Sequence, residues 1–134
     1  MAADKPAQYI VDSSAILSYI LPDEILPNSI KSAIKKFTND KVKLIAPAVL
    51  RYEVGNALKS SVRQKRLDPT KANKIYTNFL SFPIQYLSPN YQDTLDISLR
   101  YDLSFYDASY LSLALEKNLP LLTLDKKLLS CLSR

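Results

Sequence analysis

A chain of 134 residues that is 47% hydrophobic and 23% charged has the composition of a soluble globular protein, and we expect residues 1–134 to form a single domain. Its net charge of +5 is compatible with a polyanionic partner but does not establish one. The complete absence of histidine excludes Ser-His-Asp and Cys-His catalysis and most zinc sites, so an enzyme here must use carboxylates, hydroxyls, lysines or tyrosines.

Short apolar runs alternate with segments of helical periodicity along the whole chain. In chain order, we predict strand 9–11 and helices 14–20 and 27–37, strand 42–46 and helices 48–64 and 69–80, strand 84–87 and helices 90–101 and 105–117, then strand 121–124 and a last helix 126–132. Strands that alternate with helices predict an α/β fold with a parallel sheet and helices on both faces. The chain has one glycine, Gly55, and therefore no glycine-rich loop that could bind phosphate. This excludes a P-loop or dinucleotide-binding fold.

Three features predict where the protein resides. Cys131 is the sole cysteine, which excludes an intrachain disulfide framework and fits a reducing compartment. Residues 1–8 lack the charged start and apolar segment of a signal peptide. The most apolar stretch, residues 15–26, is too short and too interrupted by polar residues to span a bilayer. We therefore expect a cytoplasmic protein without a membrane partner.

Four acidic residues occupy positions that predict a shared site. Asp12 ends the first predicted strand and Asp125 follows the last one, so in a parallel sheet both stand at the carboxyl edge, where open α/β folds bind ligands. Glu53 and Asp107 lie on the apolar faces of their helices, where a lone carboxylate costs several kcal/mol unless it is paired, protonated or bound to metal. Carboxylates suit hard cations such as Mg²⁺ or Mn²⁺.

Each acid taken singly has a purely structural interpretation, which the sequence leaves open. Asp12 and Asp125 could cap the helices that follow them, and Asp107 lies three residues after Ser104, as in a capping box. Glu53 is hardest to explain in this way because it lies in the middle of a helix. The joint occurrence of the four at one sheet edge favours a common site.

Four motifs surround these acids: IVDSSAIL over residues 10–17, Ala46-Pro47 leading to YEVGNAL over 52–58, LSFYDASYL over 103–111, and PLLTLD over 120–125. In this order and at these separations, they resemble the motifs of PIN-domain ribonucleases of the VapC toxin type, and the match spans almost the whole chain. Each motif alone is weakly specific, whereas the ordered set is more so.

The resemblance implies a three-layer α/β/α sandwich that acts as a Mg²⁺- or Mn²⁺-dependent ribonuclease. Asp12, Glu53, Asp107 and Asp125 match the four acidic positions of the family. Our hypothesis is that Asp12 and Asp107 hold the principal ion and that Glu53 and Asp125 complete the cluster. Hydrolysis is then expected to leave 5′-phosphate and 3′-hydroxyl ends.

Several further residues are candidates for supporting roles. Ser14 and Thr123 match small hydroxyl positions that commonly support this site, and Asn56 lies one turn beyond Glu53; ordinary capping or surface roles remain open for all three. Lys126 and Lys127 directly follow Asp125 and are candidate phosphate contacts.

Other basic and aromatic residues are ambiguous in the sequence. Lys59, Arg63 and Arg66 form a predicted basic face that points away from Glu53, and this direction favours a merely solvated face over a contact with RNA. Tyr106 and Tyr110 flank Asp107 and either stack on an RNA base or belong to the core.

The resemblance to VapC toxins also implies an antitoxin that covers the active-site groove, and a homodimer. The alternative from another class is a non-catalytic PIN-like module that binds RNA or protein. A receiver-like phosphoacceptor is disfavoured because no carboxylate follows strand 84–87. A haloacid-dehalogenase-type phosphatase is disfavoured because Asp12 lacks a second aspartate two residues later.

Overall fold

A computed structural model describes residues 7–132. Its elements in chain order are β1 (Ala7–Val11), α1 (Ser13–Ile20), α2 (Asn28–Thr38), β2 (Val42–Ala46), α3 (Val49–Arg63), α4 (Pro69–Leu80), β3 (Gln85–Tyr86), α5 (Tyr91–Tyr101), α6 (Phe105–Lys117), β4 (Leu121–Leu122) and α7 (Lys126–Leu132). No helix of this described part is long and apolar enough to cross a membrane.

The four strands form one sheet in the order β3-β2-β1-β4, and every neighbouring pair is parallel. The central pair aligns Ile10 with Ile45, and on the other side Ile10 aligns with Leu121. Because strands alternate with helices, all four carboxyl ends lie at the same edge of the sheet. The predicted α/β fold with a parallel central sheet is confirmed.

The core is built on both faces of the central strands. Ile10, Val11 and Ala46 have no exposed surface, as expected for a parallel sheet covered by helices. Helix α6 is buried at seven consecutive positions, from Ala108 to Ala114. A helix that is buried all round lies within the protein, and this position brings the start of α6 to the edge where β1 ends.

Two strands are shorter than predicted. The third strand comprises only Gln85–Tyr86, and the fourth ends at Leu122 rather than at Leu124. The fourth strand ends early because the chain begins a turn there: the Leu124 N–H donates to the Ser14 hydroxyl at 2.9 Å instead of to a neighbouring strand. The end of this strand is therefore also where the candidate site begins.

Candidate functional site

Asp12 lies at the carboxyl end of β1 and is buried, with 4% of its surface exposed. Its Oδ1 accepts hydrogen bonds from the Ala15 N–H at 3.0 Å and the Ser14 hydroxyl at 2.7 Å, and its Oδ2 accepts one from the Thr123 hydroxyl. The bond from Ala15 makes Asp12 the N-cap of α1. The capping interpretation thus holds, but it uses only one of the three hydrogen bonds.

The Asp12 carboxyl has a pKa raised above its ordinary value, chiefly because burial disfavours the charged form. Hydrogen bonds from Thr123, Ser14 and Ala15 oppose this rise, and the negative charge of Asp125 adds to it. Burial outweighs these three hydrogen bonds, so the net effect is a raised pKa of the Asp12 carboxyl. Such a group gains from any positive charge brought beside it.

The hydroxyls of Ser14 and Thr123 connect the ends of β1 and β4. They lie 3.3 Å apart, and each donates to a different oxygen of Asp12. The Thr123 oxygen also accepts the Asp125 N–H at 2.9 Å, just as Ser14 accepts the N–H of Leu124. The two hydroxyls that were predicted to support the site therefore contact the Asp12 carboxylate and fix its orientation.

Glu53 projects from the middle of α3 and is half-buried. Its Oε1 accepts a hydrogen bond from the hydroxyl of Tyr110 on α6. Burial raises the Glu53 pKa, and the negative charges of Asp107 and Asp12 raise it further, whereas hydrogen bonds from Tyr110 and Ser13 lower it. Glu53 therefore lies near two of the other acids and is held by two hydroxyls.

Asp107 lies in the first turn of α6, which Ser104 caps, and Asp125 itself caps α7. The Asp107 N–H donates to the Ser104 hydroxyl at 3.0 Å in the first turn of α6, and Asp125 Oδ1 accepts the N–H groups of Lys127 at 2.9 Å and Leu128 at 3.1 Å. Burial raises the pKa of Asp107, and the charge of Asp125 is the next largest cause. Helix capping and mutual proximity therefore occur together.

The four acids form a closed ring of electrostatic repulsions. The negative charge of Asp125 raises the pKa values of Asp12 and Asp107. The charges of Asp12 and Asp107 in turn raise the pKa of Glu53. The ion pairs of residues 7–132 both involve Arg66, so none of the four carboxylates is neutralised in this way. Carboxylates that repel one another and form no ion pair within residues 7–132 suit a hard divalent cation.

The side chains as they stand do not enclose an ion. Within residues 7–132, no group of three or more acidic or cysteine side chains is arranged to hold a metal. Asp12 is fixed by its hydrogen bonds, whereas Asp107 and Glu53 are half-exposed side chains on helices. The donor chemistry fits a cation, and the present rotamers do not form its coordination sphere.

Three further predicted residues, Lys126, Lys127 and Asn56, are exposed. Lys127 is exposed, donates from Nζ to the backbone oxygen of Asp102, and lowers the pKa of Asp107 by its charge. Lys126 is exposed at the start of α7. Asn56 is exposed and lines a groove together with Glu53. Of these three, Lys127 is the one whose charge acts on an acid of the site, since it lowers the pKa of Asp107.

The structure decides two questions that the sequence leaves open about neighbouring residues. Tyr110 is buried, with 1% of its surface exposed, so it cannot stack on a base; Tyr106, at 61%, can. Arg66 lies beyond the end of α3 and bonds Asp23 at 2.7 Å, so it is not part of a free helical face. The bond from the Tyr110 hydroxyl to Glu53 was not predicted, although Tyr110 follows Asp107 by three residues and so shares its helix face.

Comparison with known proteins identifies the family. The model of the PIN domain matches residues 9–130. The chain belongs to the PIN domain family. A PIN relative, the exonuclease VapC9 of Pyrobaculum aerophilum, is 30% identical over 125 residues, which cover 93% of this chain and 86% of that protein. The sequence-based assignment to PIN domains is confirmed.

Solved structures agree with the PIN fold. The crystal structure of PAE2754 from Pyrobaculum aerophilum has a TM-score of 0.73 at 28% identity, covering 94% of this chain and 86% of that one. The Mycobacterium tuberculosis toxin VapC20, a sarcin–ricin loop cleaving toxin, has a TM-score of 0.63 at 14% identity, covering 92% and 94%. At that identity the likeness to VapC20 is a likeness of fold.

Proposed function

We propose that this PIN-domain protein is a Mg²⁺- or Mn²⁺-dependent endoribonuclease whose site consists of Asp12, Glu53, Asp107 and Asp125. The observation that carries the proposal is that these four carboxylates affect one another by their charges and form no ion pair within residues 7–132. The name of the relative VapC9, an exonuclease, supports nuclease chemistry. Asp12 and Asp107 would hold the principal ion, and Glu53 and Asp125 would complete its environment.

The protein's own residues supply position and charge. A bound divalent cation would neutralise the acids, bind the scissile phosphate and lower the pKa of a water. The Ser14 and Thr123 hydroxyls hold Asp12 in one orientation, and the Tyr110 hydroxyl holds Glu53. These hydrogen bonds reduce the rearrangement that the carboxylates need when a cation and a phosphate arrive.

The partners follow from the same proposal. RNA is the substrate, and Lys126 and Lys127 would contact its phosphates beside Asp125. VapC9 and VapC20 carry the names of VapC proteins, which supports a role as the toxin of a toxin–antitoxin pair with an antitoxin bound over the acids. A homodimer and action in the cytoplasm belong to this proposal. A non-catalytic PIN module that only binds RNA or protein is the competing function.

Incubation with mixed tRNA, ribosomal RNA and mRNA, in Mn²⁺ or in EDTA, tests the chemistry. Cleavage in Mn²⁺ that stops in EDTA and leaves 5′-phosphate and 3′-hydroxyl ends is expected. Asp107→Asn should abolish it, whereas Asp96→Asn, an equal change of charge on the exposed face of α5, should not. Ends with 2′,3′-cyclic phosphates would contradict the scheme, and RNA binding without cleavage would favour the competing function.

A further inference from the structure

The side chain of Lys127 contacts the turn between α5 and α6. Its Nζ donates a hydrogen bond to the backbone oxygen of Asp102, the residue that follows α5 in the left-handed conformation with φ 53° and ψ 49°. This bond joins the first turn of α7 to a part of the chain 25 residues away in sequence. Lys126 is also exposed, but within residues 7–132 its side chain forms no such bond. The two adjacent lysines therefore have different surroundings.

The turn that Lys127 contacts leads directly into the helix that carries Asp107. Ser104 caps this helix, and its hydroxyl accepts the Asp107 N–H at 3.0 Å. Because Asp107 lies in the first turn of α6, its position depends on the direction in which the chain leaves the turn. The positive charge of Lys127 lowers the pKa of Asp107, so the ammonium group lies near this carboxylate as well as near the turn.

The backbone of Lys127 is bonded to another acid of the site. Its N–H donates to Asp125 Oδ1 at 2.9 Å, as part of the cap of α7. The same residue therefore has its backbone bonded to Asp125 and its side chain bonded to the turn that precedes Asp107. Lys127 thus connects the two elements that bring Asp107 and Asp125 to the site.

A second side chain holds the same turn from within α5. The Ser98 hydroxyl donates to the backbone oxygen of Leu103 at 2.7 Å, and the Ser98 backbone oxygen accepts the Leu103 N–H at 3.1 Å. Ser98 therefore fixes the turn to α5, whereas Lys127 fixes it to α7. Because serine carries no charge, a substitution of Ser98 loosens the turn without altering the charges near the acids.

We propose that Lys127 is a positioning residue whose bond to Asp102 holds the turn before α6 against the start of α7 and so sets the separation of Asp107 and Asp125. The inference rests on the proposed function, because this separation matters for carboxylates that share a divalent cation. A displacement of about 1 Å in such a site costs on the order of a hundredfold in rate. A phosphate contact by Lys127 is compatible with this role, since an ammonium group has three donors and the bond to Asp102 uses one.

Hydrogen exchange of backbone amides tests the contact without metal or RNA. Exchange at the Leu103 and Asp107 N–H groups is measured by NMR in EDTA for the unaltered protein, Lys127→Met and Lys126→Met. Methionine retains an unbranched stem but has no donor. Lys127→Met should speed exchange at both amides about fivefold, because a hydrogen bond that holds the turn is lost. Lys126→Met removes the same charge one residue earlier and should leave both rates unchanged.

Cleavage kinetics in Mn²⁺ separate positioning from phosphate contact. Lys127→Met should lower kcat about tenfold, whereas Lys126→Met should raise KM alone because it removes only a phosphate contact. Lys127→Arg should restore kcat, since a guanidinium can donate to the same backbone oxygen. Ser98→Ala should lower kcat without raising KM, because it loosens the same turn and removes no charge. Lys117→Met, in the exposed last turn of α6, should change neither constant.

Separate results overturn the separate proposals, once circular dichroism and thermal melting have established that each variant is folded. If Lys127→Met changed KM alone and exchanged like Lys126→Met, Lys127 would be a phosphate contact and not a positioning residue. A fall in kcat in Lys127→Met that Ser98→Ala does not reproduce would assign the effect to the lysine charge, against the role of the turn. Failure of the unaltered protein to cleave any RNA in Mn²⁺ would overturn the ribonuclease function, while the exchange rates still decide whether Lys127 holds the turn.

Discussion

Asp12 caps α1 and is also a proposed metal ligand, and substitutions of this single residue can separate the two roles. Asparagine retains the oxygen that accepts the Ala15 N–H, so Asp12→Asn should preserve the cap of α1. It removes the negative charge, so cleavage and Mn²⁺ binding should be lost. We expect a change in the free energy of unfolding of less than about 1 kcal/mol, measured by urea denaturation in EDTA.

Asp12→Ala is the contrasting variant. It removes the cap and also leaves the hydroxyls of Ser14 and Thr123 without their acceptor, so it should destabilise the protein by about 2–4 kcal/mol. If alanine and asparagine were equally destabilising, the hydrogen bonds to the Asp12 oxygens would not be the structural role of this residue.

Tyr110 positions Glu53 and affects its ionisation. The hydroxyl bond lowers the Glu53 pKa, against the larger effect of burial. Tyr110→Phe should therefore raise the Glu53 pKa and move the acidic limb of the cleavage-against-pH profile to higher pH, by about one pH unit for a hydrogen bond to a charged group. The profile is measured in Mn²⁺ from pH 5 to 8.

Tyr76→Phe provides the matched control for that measurement. It removes a hydroxyl that donates to the backbone oxygen of Arg51 on α3 at 2.6 Å, which is a neutral acceptor rather than a carboxylate. Its acidic limb should coincide with that of the unaltered protein. Equal displacement of both profiles would show a general effect of instability rather than a local effect on Glu53.

At the scale of the element, helices were more predictable than strands. Asp68-Pro69 and Ser104 marked two helix starts correctly, because a side-chain cap or a first-turn proline is a local signal. The end of β4 was not predictable, because it depends on the bond from Leu124 to Ser14, more than a hundred residues away in sequence. Periodicity is local, whereas the ends of strands depend on which neighbour accepts their hydrogen bonds.

In the candidate site too, features that depend on local periodicity were predictable, whereas those that depend on packing between elements were not. Strand and helix periodicity sufficed to predict that Asp12 and Glu53 approach one another, because it gives the sheet edge and the inward helix face. It did not predict that the hydroxyl of Tyr110 bonds to Glu53, since side-chain hydrogen bonds depend on how α3 and α6 pack. Nor did it predict that Arg66 pairs with Asp23 and leaves the basic face.

The chain has a single glycine, so other residues adopt the left-handed conformation at its turns. Asp40, Lys65, Asp102 and Asn118 have φ between 53° and 60°. Lysine has no short polar side chain to compensate for the strain, and glycine at such a position avoids it. We therefore expect Lys65→Gly to raise the free energy of unfolding by about 0.5–1 kcal/mol, measured by urea denaturation.

Lys74→Gly should instead lower the free energy of unfolding. Lys74 is exposed within α4, where glycine costs about 1 kcal/mol relative to good helix formers. The two variants make the same chemical change and differ in backbone conformation alone. Destabilisation by both would show that the left-handed conformation of Lys65 is not a source of strain.

At the scale of the whole molecule, the charges are segregated. The net charge is +5, while four of the thirteen acids gather at the carboxyl edge of the sheet. The rest of the surface is consequently more basic than the average, which suits a partner with a phosphate backbone. The same segregation brings negative charges close together at this edge of the sheet. The stability of the protein should therefore depend on pH, which sets the charge of the four acids, and on divalent cations that bind them.

The direction of the pH dependence follows from three raised pKa values. Asp12, Glu53 and Asp107 all have folded pKa values above the ordinary 3.8 or 4.5, chiefly because of burial. Between the ordinary and the raised values, the folded protein binds more protons than the unfolded chain. The contribution of these groups to stability is therefore present at low pH and is lost as pH rises through the raised pKa values.

Glu53→Gln tests this dependence directly. In EDTA at pH 7 it should be more stable than the unaltered protein by on the order of 1 kcal/mol, because an uncompensated half-buried charge is removed while the acceptor for Tyr110 is kept. The difference should vanish towards pH 4, where glutamate is protonated as well. Mn²⁺ at neutral pH should reverse the order, since it binds and stabilises the folded protein only where the carboxylates are intact. Melting temperatures of both proteins from pH 4 to 8, with Mn²⁺ or EDTA, provide the measurement. A stability difference that is independent of both pH and metal would mean that the four acids do not act as one charged cluster.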